Sequence, residues 1–269
     1  MESYEPKFRE PVKTTYRGYE VAAFAPPSGG CALVEMLNIL ENYDVRSMGH
    51  NTAASIHALT ESMKLGFADR SVALGDPDFV NVDVERLTSK KFAHERFTLA
   101  GEKAGEFASA DGIEAKQYPG NTSHFVVMDK DGNAFSQTQT IRDWFGCGIV
   151  VDGLGFVLNN AMSDFSAAVG AMTSQGLAYG SANAIQGGKT PLSSMSPSMV
   201  FKDGKVTEFG CGNFPESEEQ GKDLVKQVIM RGHSWLPLGE FAIGTNTTAY
   251  AMAQKYQIGS KLPILIAEK

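Results

Sequence analysis

A chain of 269 residues, 42% apolar and 20% charged, is long enough for one large or two smaller packed domains and too apolar for a disordered segment. A formal charge of −7 and a pI near 5.3 exclude the basic footprint of a nucleic-acid binder. No apolar run approaches the roughly 18 residues of a membrane span, and the charged start, MESYEPKFREPVK, lacks the apolar core of an export signal.

In chain order, residues 14–24 (TTYRGYEVAAF) predict a strand that enters the break APPSGG at 25–30. A helix follows at 31–43, with Leu33, Met36, Leu37 and Leu40 on one face. Asn51 is the expected cap of a second helix at 52–69, whose apolar stripe is Ile56, Leu59, Met63 and Phe67. A loop at 74–82 leads to a third helix at 84–98. Residues 101–119 have no strong period and predict an exposed linker. From 122 the texture is that of strands. Asp131-Gly132 and Asp203-Gly204 are hairpin signals, the second within 198–210. Between the hairpins lie GFVLNN at 155–160 and a polar loop at 161–196. The segment after 211 is charged and helical, then α/β in texture. Cys31, Cys147 and Cys211 are widely spaced and odd in number, which suggests buried free thiols rather than a metal site or disulfide framework.

Thr122 and Thr140 each lie nine residues from Asp131. A hairpin centred there sets them opposite one another with side chains on the same face. A two-residue loop would make them near neighbours instead, so the turn geometry decides the pairing. Threonine is also simply a good strand residue, and spacing alone does not separate that reading from a reactive one. A threonine hydroxyl needs a base to become a nucleophile. One arrangement uses the threonine's own α-amine, with a pKa of about 7.7–8.0, once the chain is cut before it. The Asn121–Thr122 bond would have to break, and the linker before it suits such a cut.

At these residues the chain resembles the γ-glutamyltranspeptidase (γ-glutamyltransferase) family. NTSHFVVMDKDGNAFSQTQT, FGCGIVV, GFVLNNAMSDFS and PLSSMSPSMVFKDGK carry the resemblance. Upstream, TYRGYEV, PPSGG, MLNILENYD and MKLGFADRSVALGDPDFV match in the same order, so the likeness spans about 8–210. It implies an α+β fold: the N-terminal-nucleophile hydrolase four-layer α/β/β/α sandwich, here incomplete. It implies a C-terminal part of a large-subunit-like region over 1–121 and a small-subunit-like nucleophile region over 122–211. It implies self-cleavage into two subunits, no cofactor, and transfer of a γ-glutamyl group from glutathione or a related donor to an amine or water.

Residue by residue, the resemblance makes Thr122 the nucleophile and new N-terminus, with Ser123 where a second threonine is usual. Thr140 becomes the supporting threonine, Asp164 the ligand of the substrate's α-amino group, and Ser193 and Ser194 the contacts of its α-carboxylate. An amino-acid head group is a zwitterion, and one carboxylate plus hydroxyl donors complements it. Arg142 stands where an asparagine is common, and Ala161 where a glutamine is common. These departures suggest an altered donor preference. The family's carboxylate-binding arginine would lie upstream of Met1, and its Gly-Ser-Pro-Gly-Gly oxyanion loop is replaced by Gly210-Cys211-Gly212-Asn213-Phe214. The tail, 213–269, resembles a fragment of the metallo-aminopeptidases related to aminopeptidase T. On that likeness Glu240 is a metal ligand, His233 is more simply structural, and the chain is a chimera joined near residue 211.

Overall fold

The computed structural model describes residues 5–105, 122–166 and 180–209. Strand β1 (Val12–Tyr16) turns back into β2 (Tyr19–Ala23), so 14–24 is part of a hairpin and not one strand. The reversal rests on Arg17 and Gly18, both at positive φ. Glycine reaches that region without cost, whereas arginine does not. Arg17 is held there by its N–H to Glu41 Oε1 (2.7 Å) and by Nη2 to the Tyr43 carbonyl (3.0 Å).

Helix α1 (Gly30–Leu40) packs on this hairpin. Its start presses on the end of β2, where a Cβ on Gly30 would lie 2.0 Å from the Phe24 carbonyl oxygen. The sheet lies on one side of α1, and α3 (Ala53–Ala73) and α5 (Lys90–Phe97) lie on others. Burial therefore runs round the helix, taking in Cys31, Val34, Leu37 and Ile39 as well as Glu35 and Asn38. A single-turn α2 (Val45–Met48) precedes α3, and α4 (Val84–Leu87) precedes α5. The third helix expected over 84–98 is thus two, because Ser89 caps a new start by accepting the Phe92 N–H.

Two expectations for α3 are overturned. Thr52, not Asn51, is its N-cap, in a reciprocal capping box with Ser55. Of the expected stripe, Ile56, Leu59 and Phe67 face outward, Ile56 being 53% exposed, and Met63 is half-buried. The buried face carries Ala58, Glu61, Ser62, Leu65, Gly66 and Arg70. The polar members of that face each find a partner, near in sequence or far from it. Glu61 pairs with Lys64 (2.9 Å) and accepts the Gly105 N–H (3.0 Å), and Ser62 donates to Ala58 O (2.8 Å). Arg70 reaches Ser194.

The remaining strands are β3 (Thr122–Met128), β4 (Ala134–Thr140), β5 (Ser198–Lys202) and β6 (Lys205–Phe209). One sheet runs β1-β2-β5-β6, all antiparallel, closed at the Asp203-Gly204 turn. The β3–β4 hairpin forms a separate sheet. Cys31 is buried, and burial pushes its thiol up to about 12. Cys147 is exposed, which corrects the expectation of a buried thiol there. Cys211, the expected linker 101–119 from residue 106 onward, and the tail beyond 209 lie outside the described residues.

Candidate active site

The β3–β4 loop has five residues, 129–133, centred on Asp131. The Asp129 carboxylate accepts the N–H groups of Asp131 and Asn133, both at 2.9 Å, and Gly132 takes the positive φ. This turn fixes a register in which Thr122 faces Thr140 and His124 faces Thr138. The hairpin arithmetic is met, and the Thr122 hydroxyl donates to Thr140 Oγ1 at 3.2 Å. His124 is buried, which lowers its pKa. Its Nδ1 is 2.7 Å from Thr138 Oγ1, steadying the strand next to Thr122.

Thr140 Oγ1 also accepts the N–H of Arg142 at 2.9 Å. The Arg142 backbone sits at φ 75°, a conformation that suits asparagine better than arginine. Its guanidinium is held between two carboxylates: Nε donates to Asp164 Oδ1 at 2.7 Å and Nη1 to Asp143 Oδ2 at 3.0 Å. The excursion 141–160 brings these groups together. Asn160 N–H bonds Ile141 O, and the Asn160 side chain clasps Asp143 through both its amide atoms. Gly146 is required there, since a Cβ would meet Leu158 O at 2.1 Å.

Asp164 ends a short 3₁₀ turn, Ala161–Asp164. Burial pushes its carboxyl pKa upward, a shift that the Arg142 hydrogen bond and the charges of Arg142 and Arg70 oppose. Asn183, fully buried, donates to the Asp164 main-chain carbonyl (2.7 Å) and accepts the Leu192 N–H (2.8 Å). A chain of hydrogen bonds therefore runs from Thr122 through Thr140, Arg142, Asp164 and Asn183 to the residue before Ser193.

The serine pair is tied down from the other side. Ser193 N–H bonds Pro27 O (2.8 Å) and Gly29 N–H bonds Met195 O (2.9 Å), so the PPSGG break is where the serine loop docks. Ser194 Oγ accepts from Arg70 Nη2 at 3.1 Å, and Ser193 Oγ accepts the Met195 N–H at 3.1 Å. Asp76 anchors the loop upstream by accepting the Thr190 N–H at 2.8 Å. Arg70, Asp76, Asn160 and Asn183 were not singled out from the sequence. Arg70, Asp76 and Asn160 lie inside the quoted motifs, whereas nothing near Asn183 signals its role. Asn121 and Glu240 lie outside the described residues.

Known proteins resemble this chain in both sequence and fold. A family profile described as gamma-glutamyltranspeptidase matches residues 1–212. The glutathione hydrolase proenzyme of Escherichia coli (strain K12) is 43% identical over 212 residues, covering 77% of this chain and 36% of that protein. The acylase ACY 1 proenzyme of Pseudomonas sp. (strain SE83) is 38% identical over 207 residues, 77% of this chain and 35% of that protein. Among solved structures, a cephalosporin acylase from Bacillus halodurans superposes with a TM-score of 0.61 at 27% identity, covering 86% of this chain and 39% of that chain. The fold is α+β, of the N-terminal-nucleophile hydrolase class. The chain belongs to the gamma-glutamyltranspeptidase family. It spans little more than a third of the length of the curated relatives it matches. The aminopeptidase likeness of 213–269, and the chimera read from it, find no support.

Proposed function

We propose that this chain carries the self-cleaving threonine and the donor head-group site of a γ-glutamyl transferase/hydrolase acting on glutathione and related γ-glutamyl compounds. The supporting observation is the 3.2 Å hydrogen bond from Thr122 Oγ1 to Thr140 Oγ1. In this reading 1–121 supplies the end of a large-subunit-like region, and 122–211 the nucleophile region.

Thr122 lies within the chain, so its nitrogen is an amide and cannot act as a base. Addition of its hydroxyl to the Asn121 carbonyl breaks the C–N bond and forms an ester. Water then hydrolyses the ester, leaving the Asn121 carboxylate and a free Thr122 α-amine. That amine, with a pKa of about 7.7–8.0, takes the hydroxyl proton as Oγ1 attacks a donor amide. The donor's amine departs with the proton, and water or a second amine releases the acyl group. Thr140 orients the Thr122 hydroxyl throughout. Asp164 and the two serines face the head group, the serines offering hydroxyl donors to a carboxylate.

Denaturing electrophoresis of purified protein tests this. Two fragments meeting at the Asn121–Thr122 bond are expected, the second beginning Thr-Ser-His, with release of p-nitroaniline from γ-glutamyl-p-nitroanilide. Thr122→Ala should give one band and no turnover. A wild-type chain that stays whole through prolonged incubation overturns the proposal.

A further inference from the structure

A serine hydroxyl can both accept and donate, and its protein partners decide which role is left for a ligand. Ser62, Ser71, Ser89 and Ser163 each give their proton to a main-chain carbonyl three or four residues back. Ser193 and Ser194 do the reverse. A main-chain N–H and a guanidinium can only donate, so Ser193 Oγ accepts from Met195 N–H and Ser194 Oγ accepts from Arg70 Nη2, both at 3.1 Å. Neither hydroxyl gives its proton to another described residue, and both serines are half-buried, within reach of a ligand. The backbone beneath them is fixed as well. Ser193 N–H bonds Pro27 O at 2.8 Å, and a Cβ on Gly29 would lie 2.9 Å from the Ser194 carbonyl oxygen. Arg70 comes to this loop from the last turn of α3 and is only 2% exposed. At that burial it meets a ligand through Ser194 rather than directly.

We propose that Arg70 is a positioning residue: by holding Ser194 Oγ as an acceptor it turns the serine's O–H proton toward the ligand, so that the serine pair presents two donors to a carboxylate. This inference rests on the proposed head-group site and names the residue that sets the polarity of its carboxylate end. Met195 N–H orients Ser193 in the same way, but it is a main-chain group that no side-chain change removes. Arg70 is therefore the half of the arrangement that substitution can reach. Its charge adds to the effect, because a hydroxyl that accepts from a cation is polarised and donates a stronger bond in turn. Without Arg70 the Ser194 hydroxyl is free to rotate and to spend its proton on a neighbouring acceptor, as the other serines do.

Titration calorimetry on the full chain with L-glutamate and with 4-aminobutyrate, which is L-glutamate without its α-carboxylate, reads the carboxylate contact without needing turnover. Wild type is expected to bind L-glutamate at least about 100-fold more tightly, about tenfold for each hydrogen bond to a charged group. Arg70→Met should cut that preference about tenfold while leaving 4-aminobutyrate binding within about twofold. Ser194→Ala should cost the same, and Arg70→Met added to it should cost nothing further, because the two residues act as one unit. Added to Ser193→Ala, Arg70→Met should keep its full effect. An Arg70 that merely supports the fold would weaken both ligands alike, or would weaken L-glutamate equally with and without Ser194, and either result overturns the inference. Should Arg70→Met not fold, wild type and Ser194→Ala still test it: a preference that Ser194→Ala leaves unchanged, equal binding of the two ligands, or binding of neither overturns it. Chain cleavage before Thr122 is scored separately. A cleaved chain whose preference ignores Arg70 sinks only this inference. An uncleaved chain in which Arg70 and Ser194 couple sinks only the catalytic reading.

Discussion

Arg70 and Ser194, 124 residues apart in the chain, meet in a 3.1 Å hydrogen bond that joins helix α3 to the loop of the serine pair. The Arg70 side chain is buried, and its charge also reaches Asp164. One side chain on α3 therefore ties the loop of Ser194 to the surroundings of Asp164.

Removing that guanidinium leaves the Ser194 hydroxyl without its partner. Arg70→Met is expected to lower the unfolding free energy by roughly 1.5–3 kcal/mol, the scale of a hydrogen bond to a charged group. Urea denaturation followed by circular dichroism measures it. A loss below about 1 kcal/mol, the scale of an exposed pair, would mean the contact is solvated.

Thr140 contributes a hydroxyl that no apolar isostere supplies. Thr140→Val keeps the shape and the strand propensity but removes the acceptor for both Thr122 and the Arg142 N–H. Maturation before Thr122 should slow by about 10²-fold or more, the low end of what positioned proton transfer contributes. Thr140→Ser should recover most of the rate. A time course on denaturing gels checks both variants, and an unchanged rate in the valine variant would remove Thr140 from the mechanism.

The orientation of α3 has a direct consequence for stability. Leu65, fully buried against Ile39 and Ala93, should cost roughly 2–5 kcal/mol when cut to alanine. Ile56, exposed on the opposite face, should change stability by no more than about 0.5 kcal/mol. Equal costs at the two positions would show that the helix is rotated from the orientation described.

Glu35 makes stability depend on pH in an unusual direction. Burial of its carboxyl, reinforced by a hydrogen bond with Asp69 and by that residue's charge and opposed by Arg96, pushes its pKa up from 4.5 to about 10. Between those values the folded chain holds a proton that the unfolded chain releases. Its contribution to stability is therefore complete below pH 4.5 and is lost progressively as pH rises to about 10. Glu35→Gln should flatten the alkaline fall of the melting temperature. Parallel melting-temperature profiles for wild type and variant would refute this.

The β3–β4 hairpin was legible because Asp131-Gly132 sits between two strand-forming runs, and strand geometry then fixes which residues face each other. The first hairpin was not, because its turn is Arg17-Gly18, and arginine gives no turn signal; long-range bonds to Glu41 and Tyr43 make it possible. The α3 face was misread for a related reason. Hydrophobic periodicity assumes an apolar buried face, and here Glu61 and Arg70 are buried through partners far away in sequence while Ser62 bonds back to Ala58 O one turn earlier. The resemblance placed Thr122, Thr140, Asp164 and the serine pair on the chain, and marked Arg142 as a departure. Only the fold reveals that the departing residue lies against Asp164. Asn183 carries no local signal, since its two bonds go to main-chain atoms 19 and 9 residues away.

The turn at 129–133 governs more than its own shape. Six residue steps separate Thr122 from Met128 at the end of its strand, a run of about 20 Å at 3.3 Å per residue. Over that length the alignment of the two hydroxyls is inherited wholly from how Asp129 clasps the bend. One residue added at the tip would rotate every side chain of the returning strand to the opposite surface, Thr140 included. The far end of the hairpin is thus a setting screw for the threonine pair, and a change there would part the two hydroxyls while leaving both residues in the chain.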